Sequence, residues 1–150
     1  MADKPFYSQG LPFSCQRCSS CCRHDPGFVF LSEKDVNKLA RALKMRYISF
    51  VETFCRWIPA GGGTEQLSLK ELSNFDCVFW KEGCTVYESR PLQCRTFPFW
   101  HSIVASRDYW DIYKQDCPGI GRGPVRSMAE IDSCLAQRVL EPVITRKQKE

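Results

Sequence analysis

Val36, Leu39, Ala40 and Leu43 recur at helical spacing among polar neighbours, and they predict a helix from Glu33 to Met45. Ser32, three residues before Asp35, makes an imperfect capping box there, with Leu31 and Val36 placed as a hydrophobic staple. A second helical stretch is expected from Ile48 to Trp57, ended by Pro59 and Gly61-Gly62-Gly63. The glycine triplet lacks the strand before and helix after that a phosphate loop needs, so it reads as a hairpin tip or connector. Gln66 to Lys70 alternates polar and apolar like a half-exposed strand. Phe75–Trp80 and Cys84–Tyr87, on either side of Lys81-Glu82-Gly83, read as a β-hairpin. Pro91 opens a helical turn that puts Cys94 one turn later. The aromatic stretch Ile103–Tyr113 predicts a strand pair around Ser106-Arg107-Asp108. Ser127 and Glu130 form a full capping box, and Met128, Ile131, Leu135 and Val139 follow as the stripe of a helix that stops at Pro142.

These elements define an α+β chain: a small single domain of a few helices, a short β-hairpin and long irregular loops organised around a multi-cysteine metal centre. A length of 150 residues suits one domain. Its expected extent is residues 1–142, with 143–150 a polar, flexible tail. The N-terminus has no apolar secretory core, and no run approaches the roughly 18 apolar residues of a membrane span. The expectation is a cytoplasmic protein. In that reducing compartment, ten cysteines read as metal ligands or redox groups before disulfides.

The densest chemistry is Phe13–Cys22, FSCQRCSSCC, with Cys15, Cys18, Cys21 and Cys22 inside eight residues. Thiols two residues apart let one tight turn aim several sulfurs at a point, as a tetrahedral metal or an iron–sulfur cluster requires. Cys77, Cys84, Cys94 and Cys117 also fall in loops, turns or hairpin arms, whereas Cys55 and Cys134 fall within helical patterns and read as small buried hydrophobes. The candidate ligands are therefore Cys15, Cys18, Cys21, Cys22, Cys77, Cys84, Cys94 and Cys117, enough for two four-thiolate sites. Arg90 and Arg95 bracket Cys94 and are candidates to hydrogen-bond its sulfur. Eight bound thiolates would turn the formal charge of +4 to −4, and two divalent ions would return it to zero. With no basic stripe left, nucleic acid is an unfavoured partner, and protein partners stay open.

The combination CxxCxxCC, Cys77, Gly83-Cys84-x-Val86-Tyr87-x-x-Arg90-Pro91-x-x-Cys94-Arg95-x-Phe97-Pro98 and Cys117-Pro118-Gly119 resembles the YkgJ-type cysteine-cluster family. That resemblance covers Phe13 to Gly119 and implies zinc or iron chelation by the same eight cysteines. Ser20 departs from it, where the family tends to have glycine. Zinc suits closed all-thiolate sites, while CxxCxxC with a remote Cys-Pro is also how bacterial ferredoxins ligate a four-iron cluster. The reading is a metal-binding protein in a structural, carrier or sensor role. One alternative is an iron–sulfur-dependent redox or transferase enzyme related to flagellin lysine methylase, with Cys22, His24, Cys55 and His101 as its candidate residues. A second alternative is a zinc-ribbon-like interaction adaptor.

Overall fold

The computed structural model describes residues 3–16 and 27–149. Its elements, in chain order, are β1 (Leu11–Phe13), α1 (Glu33–Ala42), α2 (Tyr47–Phe54), β2 (Cys55–Gly61), β3 (Thr64–Leu69), α3 (Leu92–Thr96), α4 (His101–Val104), α5 (Arg107–Tyr113), β4 (Ile120–Arg126), α6 (Met128–Leu140) and β5 (Thr145–Lys147). The α+β class is as the sequence indicates. Two small antiparallel sheets, β1-β4 and β2-β3-β5, carry the strands.

Local signals set the helices. The Ser32 hydroxyl accepts from the Asp35 amide at 3.1 Å while the Asp35 carboxylate accepts from the Ser32 amide at 2.9 Å, so the capping box forms in full. Ser127 and Glu130 do the same for α6. The glycine triplet is a hairpin tip, with Gly61, Gly62 and Gly63 all at positive φ, a conformation that costs a side chain. The hairpin it closes, however, is β2-β3. Cys55 turns extended and pairs with Leu69, so the helix expected to reach Trp57 stops at Phe54. The expected tail supplies β5, held by Arg146 stacked 3.8 Å over the Trp57 ring and 3.6 Å from Glu65.

Two expected strand pairs are corrected. Between Phe75 and Tyr87 only isolated bridges form, Glu71 with Cys77 and Trp80 with Cys84, and turn hydrogen bonds replace the ladder. From Ile103 to Tyr113 the chain is helical. Ser106 caps α5 by accepting from the Tyr109 amide, and Ile103, Val104 and Trp110 are buried at helical spacing. Aromatic richness there suggested strands, but the apolar face has the helical period.

The interior divides into two apolar clusters. One gathers Leu31, Val36, Leu39, Phe50, Leu67, Leu69, Phe79 and Val86 from α1, α2, β3 and the turns that follow. The other gathers Tyr7, Leu11, Phe13, Phe99, Ile103, Trp110, Ile120 and Ile131.

Candidate metal centre

Cys15 is exposed just past β1, and the β1-β4 ladder decides what lies opposite it. Phe13 pairs with Ile120, and the Ser14 amide donates to the Gly119 carbonyl at 3.2 Å. The next residue, Cys15, therefore emerges across from the Cys117-Pro118-Gly119 turn. A Cβ on Gly119 would run into the Ser14 carbonyl, so only glycine allows this approach. Cys117 itself is buried in the second cluster.

The far end of the cysteine stretch is fastened too. The Gly27 amide donates to Glu71 Oε2 at 3.3 Å, and the Gly27 carbonyl accepts from Arg56 at 2.8 Å. Arg56 and Glu71 lie 3.5 Å apart, and Glu71 forms the bridge to Cys77. One turn on, Gln93 accepts from the Phe30 amide at 3.0 Å and donates to the Phe28 carbonyl at 2.7 Å. Gln93 adjoins Cys94 on α3. The start of α3 is set in turn by Asp35, 2% exposed, whose second oxygen accepts from the Leu92 amide at 2.9 Å. One buried carboxylate thus caps α1 and positions the Pro91–Cys94 turn.

Cys77 and Cys84 are half-buried against the first cluster, each in an isolated bridge, Cys77 with Glu71 and Cys84 with Trp80. Cys18, Cys21, Cys22 and His24 lie outside the described residues. Among the described residues, no group of three or more cysteine, histidine, aspartate or glutamate side chains is close enough to hold a metal ion. The donor chemistry nevertheless fits a thiophilic metal. Ser14 before the cysteine-rich stretch and Gly27 to Phe30 after it are bonded beside Cys117, Cys77 and Cys94, and soft thiolates are the ligands that zinc and iron–sulfur centres select.

The remaining candidates separate by environment. Cys55 opens β2 rather than sitting in a helix, is 7% exposed, and its thiol is pushed up to about 12 by burial, with Lys70 pulling weakly the other way. Cys134 lies on α6 and packs against the second cluster, and burial also raises its thiol. Both stay protonated near neutrality and act as small hydrophobes. Arg90 stacks 3.8 Å over the Tyr87 ring and donates to its carbonyl, while Arg95 is exposed and donates to the Arg90 carbonyl. His101 is exposed at the start of α4. Gln93, Arg56 and Glu71 escaped sequence reasoning, because a side chain that holds distant backbone leaves no mark in residue spacing.

The scaffold is small and α+β, and the residues on either side of its cysteine-rich stretch, Ser14 and Gly27, are held by Gly119, Glu71 and Arg56. The chain belongs to the family described as CxxCxxCC: Putative zinc- or iron-chelating domain, which matches residues 14–118. No solved structure matches the chain. No helix among the described residues is long and apolar enough to cross a membrane.

Proposed function

We propose that this is a cytoplasmic, single-domain metal-binding protein whose eight thiolates, Cys15, Cys18, Cys21, Cys22, Cys77, Cys84, Cys94 and Cys117, hold two zinc or iron–sulfur centres. What supports this reading is the fastening of the cysteine-rich stretch. Ser14 bonds Gly119 at one end, and Gly27 and Phe30 bond Glu71 and Gln93 at the other, so the segments that carry Cys117, Cys77 and Cys94 are each tethered beside it. The register across Ser14 and Gly119 favours one centre containing Cys15 and Cys117. The tethers at Glu71 and Gln93 favour a second containing Cys77, Cys84 and Cys94. Two such sites are each capable of adding about 10–16 kcal/mol of apparent binding free energy to folding, which suits a chain with this much irregular backbone.

The test is an anaerobic preparation whose visible spectrum, zinc, iron and acid-labile sulfide are measured together. A colourless protein with about two zinc ions per chain identifies closed tetrahedral sites. A brown protein with iron and sulfide in equal amounts identifies clusters. A metal-free chain whose fold resists a chelator would sink the proposal.

A further inference from the structure

A cleft of about 300 Å³ opens between α6 and the α3-α4 segment, and the tether residues Phe30 and Gln93 form part of its lining. Phe30, Phe99, Trp100 and Leu135 make its walls apolar, and Cys134 and His101 complete the lining. One full charge faces it. Arg138 is half-buried, and among the described residues its guanidinium donates to the carbonyls of Glu141 and Phe30, at 3.3 and 3.4 Å. Among the described residues no carboxylate makes an ion pair with it, and Asp35 and Glu141 act on its charge from farther away. Asp35 is committed to the Ser32 and Leu92 amides, and the bonded oxygen of Glu141 accepts from Gln137. Burial outweighs the help Arg138 draws from these two carboxylates and lowers its guanidinium below the ordinary value, so an anion in the cleft adds compensation that the fold leaves short.

We propose that this cleft binds a small aromatic carboxylate, its ring against Phe99 and Trp100 and its carboxylate on Arg138. The volume lies at the small end of ligand pockets, which suits one or two fused rings. Flat aromatic walls favour a flat body by stacking. The neutral thiol of Cys134 offers no repulsion to an anion. Gln93 and Thr96 spend their polar groups on backbone, at Phe28, Phe30 and Leu92, so they leave the charge contact to Arg138.

The probes are 1-naphthoate and its uncharged amide, 1-naphthamide, which share a ring system and differ in charge. Titrated into the protein as purified, with Trp100 fluorescence and calorimetry as readouts, naphthoate should saturate at one site and bind about tenfold tighter than the amide. Arg138→Gln should bring naphthoate down to the amide's affinity and leave the amide unchanged. Leu135→Trp, on the wall of the cleft, should abolish binding of both. Equal affinity of the two probes for the wild-type protein overturns the proposal, as does naphthoate binding that survives Leu135→Trp. Absence of saturable binding overturns it as well, and these wild-type outcomes do not depend on how the variants fold.

Discussion

The buried residues of the apolar cluster around Phe50 and Leu67 all lie between 31 and 86, with Val29 and Ile144 packed on its margin, whereas those around Trp110 and Ile103 join Tyr7–Phe13 to residues 99–131. The first is built from neighbours in sequence: a capped helix, a second helix running into a glycine-tipped hairpin, and the turns after it. The second needs the chain to close on itself through the short ladder between β1 and β4. Closing so long a loop costs chain entropy that three paired residues repay poorly. The difference assigns a task to the cysteine-rich stretch. It begins at the β1-β4 closure and ends on Glu71 and Gln93, and α3 with Cys94 is anchored to α1 by Asp35 while packing against α6. Under the proposed function, metal bound there would tie the weakly closed region to the locally determined one.

Metal removal is the strongest way to break this comparison. A chelator should cost on the order of 10 kcal/mol of apparent stability. Hydrogen exchange should then show amides around Trp110 and Ile120 losing protection before those of β2 and β3. Simultaneous loss throughout would mean that the two clusters form one cooperative unit and that the contrast is only one of sequence distance.

Asp35 comes next, because it serves both regions. Asp35→Ala removes the acceptor from two buried amides and should cost about 3 kcal/mol, combining a lost cap with a lost charge-assisted bond. Asp35→Asn keeps one acceptor oxygen and should cost roughly half of that. Urea unfolding gives both values. A loss no greater than the roughly 1 kcal/mol typical of an N-cap would remove the bond to Leu92 from the argument.

A matched glycine pair sharpens the contrast further. Gly119→Ala drives a Cβ into the Ser14 carbonyl and should cost about 2 kcal/mol by overpacking the β1-β4 closure. Gly62→Ala, at φ +59° with open space around it, should cost about 1 kcal/mol for its left-handed backbone alone. The reverse order would show that the closure is loose enough to accept a methyl group.

The same division explains what could be read without coordinates. Ser32 with Asp35 and Ser127 with Glu130 lie three residues apart, and both capping boxes were legible because capping is local. The β1-β4 pair was not. Its partners lie more than 100 residues apart, and β4 contains Gly121, Gly123 and Pro124, residues that strands disfavour except at edges and bulges. The cysteines declared themselves by spacing and neighbouring turns, and family membership agrees with that signal. Their supports were silent. Gln93 reaches backbone 65 residues away, and nothing in its sequence surroundings distinguishes it from a surface glutamine. Asp35 was legible as the cap of its own helix, but its bond to Leu92 was not.

The smallest effect concerns Cys55, the buried thiol of the locally built region. Its pKa rises from an ordinary 9.0 to about 12, chiefly through burial. Between those values the folded chain keeps a proton that the unfolded chain has lost. Unfolding then releases that proton, so this group's contribution is intact below about pH 9 and declines as pH rises toward 12. Thiolates held by metal would titrate only in the unfolded chain and make stability rise with pH until about a unit above 9, a contribution shared by wild type and variant that cancels in their difference. Tyr7 and Tyr47, raised by burial and by their bonds to Asp132 and Glu33, join only above their ordinary 10.0. Between roughly pH 9 and 10 the difference between wild type and a cysteine variant therefore reports that cysteine. Cys55→Ala should flatten the fall in stability across that interval, beyond any constant cost of the cavity, and Cys134→Ala should do so less because that thiol is less buried. If Cys134→Ala flattens the curve more, the alkaline sensitivity belongs to the region closed by β1 and β4, and the better-sealed core is the one around Trp110.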